Sequence, residues 1–205
     1  LERCERELSD VAEVYPREQS YLEGMTGVTE ERLPDEPLLV LFLGSTIGNF
    51  ERRCASEFLR DLRKILDRGD KLLLGADLVK EPLRMLAAYD DPTGVTAAFN
   101  LNLLGRVNRE LNADFDLTNF RHEARWNERE RRIEMHLVSR VKQSVWLGAC
   151  GLTVAFRAGE TIWTESSHKF FPDEIAGLAE TSGFRVEAQW VDQEWPFVES
   201  LWTAS

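Results

Sequence analysis

Two short apolar runs in the chain predict buried strands that flank a helix. Residues 38–43 (LLVLFL) and 72–76 (LLLGA) carry no charged side chain, which is typical of parallel strands that are covered on both faces. Between the runs, residues 53–67 place apolar side chains at helical spacing, and Gly69 follows where a C-terminal cap is expected. Strand, helix and strand in this order predict a right-handed βαβ unit.

Polar residues follow both predicted strands at the ends where ligands bind in such sheets. The first strand is followed by the turn GSTIGN at 44–49, and the second by Asp77. The glycine spacing of the turn matches neither a phosphate-binding loop nor a dinucleotide-binding turn. Taken alone, a glycine turn in which Asn49 caps the next helix explains the motif as well as a ligand site does. For Asp77, a place in the active cleft and a helix-capping or loop role both stay open.

The βαβ rhythm stops between residues 80 and 168, where we predict an inserted lobe. Two helical patterns come first, and alternating segments typical of antiparallel strands follow them. The predicted elements of the lobe are helices at 81–90 and 94–111 and strands at 120–126, 133–141, 152–156 and 161–164.

The hydrophobic pattern predicts regular elements more clearly at the C-terminal end of the chain than at the N-terminal end. Residues 1–15 predict a helix that ends at Tyr15-Pro16, and residues 16–37 indicate a loop. After the lobe, residues 173–181 predict a helix with Gly183 as its cap, and residues 184–190 and 197–203 predict two closing strands. The chain therefore divides into a core segment at 1–79, the lobe at 80–168, and a closing core segment at 169–205.

Composition and charge narrow the class of protein. The chain is 43% hydrophobic and 30% charged, as in a globular domain, and 36 acidic against 25 basic residues give a net charge of −11. Nucleic acid and anionic membranes are therefore not expected as partners. The longest apolar run is too short to cross a bilayer, and no signal peptide is evident. Cys4, Cys54 and Cys150 form no CxxC pair, so we expect neither a disulfide framework nor a metal site, and a cytoplasmic protein.

Three longer strings carry a much more specific signal than the turn alone. They are LFLGSTIGNF at 41–50, AYDDPTGVTAAFN at 88–100 and TESSHKF at 164–170. Together with GADLVK, NRELNADFD and RRIEMHLVSR, they resemble the histidine Nα-methyltransferases of ergothioneine biosynthesis. The resemblance runs from about residue 38 to the C-terminus and covers the C-terminal two-thirds of the family's length.

The resemblance implies a fold, a reaction and a set of binding residues. The fold is an α/β class I methyltransferase (Rossmann-like) sheet, N-terminally truncated, with an inserted α+β substrate lobe. The reaction is methylation of the α-amino group of L-histidine by S-adenosyl-L-methionine to the trimethylated betaine hercynine, the first step of ergothioneine biosynthesis. We expect a monomer with a small-molecule substrate. The implied substrate-binding residues are Gly44, Asn49, Tyr89, Met135, Glu165, Ser166 and Ser167.

The chemistry of these residue types agrees with the implied roles. Asn49 and Tyr89 would hold the carboxylate and the amino end of the substrate, while Glu165 and Ser167 would bind the imidazole and Met135 would line the ring pocket. A carboxylate beside a hydroxyl satisfies both ring nitrogens, which an apolar pocket cannot do. Gly44 would let the backbone approach the ligand. No residue is assigned as the acceptor of the amine proton.

Two alternatives and one further expectation accompany this interpretation. The chain could methylate another aromatic amino acid, against which Glu165 argues, or it could be an inactive amino-acid-binding remnant. His122 and His136 lie among charged residues of the predicted hairpin, so we expect them at the surface, and with His168 they do not form a metal triad.

The cofactor site is the least complete part of the predicted protein. A class I methyltransferase binds its cofactor mainly through a glycine-rich loop after the first strand and an acidic residue that closes the second. Neither feature precedes residue 38, and Gly24 and Gly27 follow no apolar strand, so we interpret them as loop residues. The resemblance places the adenine contact at Ser20, Tyr21 and Leu22, where a third strand would end.

We therefore predict that the isolated 205-residue chain binds S-adenosylmethionine weakly and exposes an unpaired sheet edge. Calorimetric titration of the cofactor into this chain measures the first property. Tight binding together with turnover of histidine would contradict the prediction.

Overall fold

The computed structural model describes residue 7 and residues 11–205. The regular elements, in chain order, are α1 (Tyr21–Glu31), β1 (Leu39–Phe42), α2 (Arg52–Ile65), β2 (Lys71–Asp77), α3 (Pro82–Tyr89), α4 (Val95–Leu111), β3 (Phe120–Asn127), β4 (Arg132–Ser139), β5 (Gln143–Leu147), β6 (Leu152–Phe156), β7 (Thr161–His168), α5 (Pro172–Thr181), β8 (Phe184–Asp192) and β9 (Phe197–Ala204). Short 3₁₀ turns lie at Thr46–Asn49, Leu117–Asn119 and Gly148–Cys150.

A four-stranded sheet in the order β1-β2-β9-β8 forms the core. β1 and β2 are parallel and joined through α2, which confirms the predicted βαβ unit. β9 lies between β2 and β8 and is antiparallel to both. The two predicted closing strands are thus β8 and β9. Within the described residues β1 pairs only with β2, and Leu39 and Leu41 on this edge strand are 53% and 57% exposed.

The core of the sheet is built by α2 and α5 packing against apolar strand residues. α2 carries its buried residues at helical spacing, among them Leu59 and Leu62. Leu72 and Leu74 on β2 and Trp202 on β9 have no exposed surface. These residues belong to one apolar cluster, so the predicted strand and helix faces meet as the hydrophobic pattern indicates.

The chain leaves this sheet after Asp77 and returns to it at Phe184, after forming two smaller sheets. One has the order β3-β4-β7, and the other is the hairpin β5-β6. A second apolar cluster lies among them, formed by Leu104, Phe120, Leu137, Val145 and Phe156.

Two segments of the chain connect the core sheet with these smaller sheets, and they are hydrogen-bonded to each other. Phe170 donates its N–H to the Asp77 carbonyl at 3.0 Å and accepts from the Val79 N–H at 3.0 Å. Leu78 and Phe170 thus form a parallel bridge, and both side chains are buried. We call this two-stranded crossing, residues 77–79 and 169–171, the neck.

The N-terminal predictions were partly wrong. Residues 11–15 are not helical, and the rest of the predicted helix lies outside the described residues except for Glu7, which is helical. The predicted loop at 16–37 contains α1, which begins with a capping box between Ser20 and Glu23 and packs Leu22 and Met25 against the core. Gly24 and Gly27 are therefore helical residues, and their low helix propensity concealed the helix.

Three differences in the remainder of the chain are smaller. β5 was not predicted, because its five residues follow directly on a polar turn. β7 extends to His168 rather than ending at Thr164. α2 ends at Ile65, so Gly69, with φ +101°, lies in the following turn instead of capping the helix.

Several global features concern the described part of the chain only. No helix there is long and apolar enough to span a membrane. Cys54 and Cys150 are free and exposed. Among the same residues no group of three or more His, Cys, Asp and Glu side chains is arranged to hold a metal ion.

Candidate active site

A lysine without exposed side-chain surface lies at the neck. The Lys169 ammonium is 2.7 Å from Asp77 Oδ2 and donates to the hydroxyls of Tyr89 at 2.8 Å and Ser167 at 2.9 Å. The two hydroxyl oxygens are 2.8 Å apart. Asp77 ends β2, Tyr89 ends α3 and Ser167 lies near the end of β7. A buried charge is tolerated when it is paired and hydrogen-bonded, so these four side chains hold three elements together; we call them the Lys169 cluster.

Asp77 carries a second ammonium partner. Lys80 Nζ is 2.5 Å from Asp77 Oδ1. The N-cap of α3 is Glu81, so Asp77 does not cap this helix. The structure therefore excludes the helix-cap interpretation, and through Lys169 it places Asp77 beside the predicted substrate residues Tyr89 and Ser167.

A β-bulge in β7 sets the orientation of the residues that follow it. Glu165 pairs with Met135 on β4, whereas the next residue of β4, His136, pairs with Trp163. Thr164 is thus an extra residue, and its hydroxyl donates to the Met135 carbonyl at 2.9 Å. Beyond the bulge, alternation places Glu165 and Ser167 on one face of the strand and Ser166 on the other.

Glu165 and Met135 line a pocket of about 230 Å³ between α4 and the strands β4 and β7. Met135 is buried and Glu165 is partly buried. The other lining residues are Phe99, Asn100, Asn102, Leu103, Arg106 and Thr164. A more open groove of about 970 Å³ along β5 and β6 shares no residue with this pocket and contains none of the predicted site residues.

The electrostatic environment of Glu165 is unusual for a surface carboxylate. Burial raises the pKa of the Glu165 carboxyl above its ordinary value, and the Lys169 ammonium offsets only part of this effect. The side chain makes no hydrogen bond to another described residue of the protein. A carboxylate in such surroundings gains from a ligand that supplies an N–H donor.

The turn after β1 is tied to the end of β2. Gly44 and Ser45 both adopt left-handed backbone conformations, with φ values of +68° and +57°. Such a conformation is uncommon for serine, and the Ser45 hydroxyl accepts a hydrogen bond from the Asp77 N–H at 2.9 Å. A side chain at Gly44 would meet open space, so this glycine leaves the carboxyl end of β1 accessible.

Gly48 brings the same turn against β7. A Cβ atom at this position would lie 2.8 Å from the His168 carbonyl oxygen, so only glycine fits. The Gly48 carbonyl accepts a hydrogen bond from His168 Nδ1 at 3.0 Å. This contact leaves Asn49, the next residue, exposed. Asn49 ends the 3₁₀ turn, and Glu51 is the N-cap of α2, so the helix-cap explanation of Asn49 is wrong.

His168 is almost completely buried at this contact. Burial lowers the pKa of its imidazole, although the hydrogen bond to Gly48 and the Glu51 carboxylate act in the opposite direction. With Nδ1 donating to Gly48, Nε2 is an acceptor, and no hydrogen-bond partner among the described residues reaches it. His168 thus packs the turn against the strand as a largely neutral ring.

The expectation that His122 and His136 are surface residues was wrong. The helices α3 and α4 cover the face of β3 that carries His122. On the other face of the sheet, Trp163 covers His136. His122 Nε2 donates to the Tyr89 carbonyl at 2.8 Å, and Asn100 donates to His122 Nδ1 at 2.9 Å. His136 is 6% exposed and stacks on Trp163. His122 therefore fixes the backbone of Tyr89.

The predicted adenine contact falls at the start of α1 rather than at the end of a strand. Ser20 is the N-cap, and the partly buried Leu22 packs against the core. The Tyr21 ring packs edge-on against Phe42 at the end of β1, with 5.6 Å between the ring centroids, and is 59% exposed. Residues 11–19 form no strand.

Sequence reasoning missed the central residue of the site, Lys169. The signal was present, because Lys169 follows Glu165 and Ser167 at steps of two and precedes two phenylalanines. Strand alternation would have placed a lysine in this position on the same face as the predicted ring contacts. Ser45 and His122 also act within the site, but no pattern in the chain distinguishes them.

The core sheet, with β9 inserted antiparallel beside two parallel strands and polar turns at their carboxyl ends, has the topology of the closing half of a class I methyltransferase. The chain belongs to the family of histidine-specific, S-adenosylmethionine-dependent methyltransferases, whose model matches residues 1–204.

The chain is similar to several named proteins. It is 48% identical to the histidine N-alpha-methyltransferase of Mycolicibacterium smegmatis over 184 residues, which are 88% of this chain and 57% of that protein. It is 46% identical to the protein of the same name from Mycobacterium tuberculosis over 200 residues, 95% of this chain and 62% of that protein. A shorter match, 44% over 69 residues, covers 34% of this chain and 8% of ergothioneine biosynthesis protein 1 of Neurospora crassa. The chain thus spans about 60% of the length of the two mycobacterial relatives.

The raised pKa of Glu165 leads to a prediction about stability. A carboxyl whose pKa is raised in the folded state contributes stability that is fully present below its unfolded pKa and is lost as the pH rises through its folded pKa. We therefore expect Glu165→Gln to unfold at a higher urea concentration than the wild type at pH 7. The difference should vanish at about pH 3.5, which lies below the ordinary glutamate pKa of about 4.3.

Glu134, on the adjacent strand, provides the matched control. Burial acts to raise the pKa of Glu134, but hydrogen bonds from Asn127, Arg132 and His136 outweigh burial and hold it below its ordinary value. Glu134→Gln should therefore lower the urea midpoint at pH 7, with the opposite sign to Glu165→Gln. Equal shifts of the same sign would contradict the assignment of the two environments.

Proposed function

We propose that this protein transfers methyl groups from S-adenosylmethionine to the α-amino nitrogen of L-histidine, up to the trimethylated betaine hercynine, as the first step of ergothioneine biosynthesis. Membership of the family and the names of the similar proteins support this proposal. The observation that carries it is the placement of the Glu165 carboxylate and the Ser167 hydroxyl on one face of β7, with Met135 beside Glu165.

The imidazole of histidine fits the groups on this face. The Glu165 carboxylate accepts from one ring N–H, and the Ser167 hydroxyl meets the other ring nitrogen. Met135 lies against the ring, and Ser166 contributes through its backbone because its side chain faces away. A purely apolar ring would leave the Glu165 carboxylate without a donor in a partly buried site, which costs binding free energy. This selection by hydrogen bonds favours histidine over apolar aromatic amino acids.

The amino-acid end of the substrate lies toward the neck in this proposal. Asn49 and Tyr89 bind the carboxylate and the amino group. Gly44 permits close approach of the ligand to the backbone at the carboxyl end of β1. The left-handed turn, tied to Asp77 by the Ser45 hydroxyl, holds Asn49 in place before a ligand arrives.

The residues at the start of α1 fit part of the cofactor. The exposed Tyr21 ring beside Phe42 offers a flat aromatic surface suited to an adenine ring, next to Ser20 and Leu22. When bound, S-adenosylmethionine supplies an electrophilic methyl group. The lobe positions the amine for in-line displacement, and holding the reacting atoms about 3–3.5 Å apart contributes several kcal/mol to the lowering of the barrier. The amine must be unprotonated to attack.

The proposal extends to the organisation and surroundings of the protein. Residues 80–168 form the substrate lobe, and residues 1–79 and 169–205 belong to the methyltransferase core. The protein acts as a monomer in the cytoplasm, without nucleic acid or membrane as a partner. Its net charge of −11 supports this last statement.

The first test is the identity of the product. The full-length protein, incubated with histidine and S-adenosylmethionine, should yield a product with up to three added methyl groups on the α-nitrogen. Mass spectrometry with fragmentation locates these groups. Methyl groups on the ring nitrogens, or preference for tryptophan over histidine, would overturn the proposal.

The second test concerns the ring contact. Glu165→Ala should cost about 2–4 kcal/mol in kcat/KM for histidine, the range for losing a hydrogen bond to a buried charged group. Tyr89→Phe should weaken amino-acid binding more modestly. Glu160→Ala, which removes an exposed glutamate before β7, is the control and should leave kcat/KM unchanged. Unchanged kinetics in Glu165→Ala would place the ring site elsewhere.

A further inference from the structure

The hydrogen bonds of the Lys169 cluster can be counted completely. A lysine ammonium has three N–H donors and no acceptor. All three are used, by Asp77 Oδ2, the Tyr89 hydroxyl and the Ser167 hydroxyl, at 2.7, 2.8 and 2.9 Å. Each hydroxyl oxygen therefore already accepts one hydrogen bond from the ammonium.

This arrangement restricts what the two hydroxyls can offer to a ligand. They lie 2.8 Å apart, so one of them donates its proton to the other. Neither proton can be directed at Lys169, because the ammonium has no lone pair. The pair is therefore left with one O–H proton, and this proton needs an acceptor from outside the cluster.

The direction of the bond between the hydroxyls follows from the ligand. If Glu165 accepts the N–H of a neutral imidazole, the second ring nitrogen is an acceptor and requires a donor. Ser167, on the same face of β7 as Glu165, supplies this donor when Tyr89 donates to Ser167. The Tyr89 oxygen then keeps one acceptor site for an N–H of the substrate's amino group.

We propose that Lys169 is a positioning residue for the substrate, which orients the Tyr89 and Ser167 hydroxyls so that Ser167 donates to the ring nitrogen and Tyr89 accepts from the amino group. This inference rests on the proposed function. Lys169 itself does not touch the substrate. Its role is distinct from that of Lys80, which pairs with the other oxygen of Asp77 and bonds neither hydroxyl.

Lys169→Met and Lys80→Met in the full-length protein separate orientation of the hydroxyls from support of Asp77. Each variant removes one ammonium partner of the same carboxylate. Lys169→Met should raise KM for histidine roughly 10- to 100-fold, the equivalent of losing hydrogen bonds to a charged group, and leave KM for S-adenosylmethionine unchanged. Because Lys80 bonds neither hydroxyl, Lys80→Met should change both constants less than about threefold. Equal effects of the two substitutions would overturn the proposal.

A double-mutant cycle with Ser167→Ala distinguishes positioning from a general structural role. If Lys169 acts through the hydroxyls, adding Lys169→Met to Ser167→Ala should cost much less than it costs in the wild type. An undiminished cost would overturn the proposal. If Lys169→Met lowers the yield of folded protein, the double variant Asp77→Asn/Lys169→Met removes both charges of the ion pair. Its KM for histidine is then compared with that of Asp77→Asn alone, so that Lys169 remains the only difference between the two proteins.

The outcome for the wild type separates this inference from the proposed function. A wild-type protein that does not methylate histidine overturns the proposed function itself. A wild-type protein that methylates histidine, with a Lys169→Met variant of unchanged KM, overturns only the role of Lys169.

Discussion

The ion pair between Lys169 and Asp77 is the contact on which the site depends. Removing a lysine ammonium from water costs several kcal/mol unless partners replace its hydration shell. Asp77, Tyr89 and Ser167 provide these partners from three separate elements. The requirement to satisfy one charge therefore fixes the end of β2, the end of α3 and the end of β7 relative to each other. The ends of α3 and β7 carry proposed substrate contacts.

Around this pair, the protein keeps several polar groups in surroundings that do not favour them. Burial raises the pKa of Glu165, His168 Nε2 has no hydrogen-bond partner among the described residues, and Ser45 adopts a left-handed conformation. Each feature lowers stability by itself, and Glu165 belongs to the proposed ring contact. Such local strain is common at functional sites, where the rest of the fold stabilises it. Stability and substrate selection thus make opposite demands on Glu165.

The sequence was sufficient to predict elements whose side chains repeat with a clear period. The βαβ unit, the hairpin β3-β4 and the strand β6 follow from apolar spacing alone. α1 escaped notice because Gly24 and Gly27 weaken the helical pattern, although Ser20 and Glu23 carry its capping signal. The bulge at Thr164 and the burial of His122 depend on packing between segments distant in the chain. Spacing within one segment holds no information about such contacts, and for this reason family resemblance, rather than pattern, supplied the candidate ring contacts.

The neck has a consequence for how proteins of this architecture can diverge. Its two strands are adjacent and hydrogen-bonded, so the ends of the intervening segment remain together whatever lies between them. Insertions, deletions or exchanges within that segment leave the order of the core strands unchanged, provided that the pairing of Leu78 with Phe170 and the charge pair beside it persist. Selectivity for the acceptor molecule and the chemistry of methyl donation can then evolve independently of each other, because they reside in different parts of the chain.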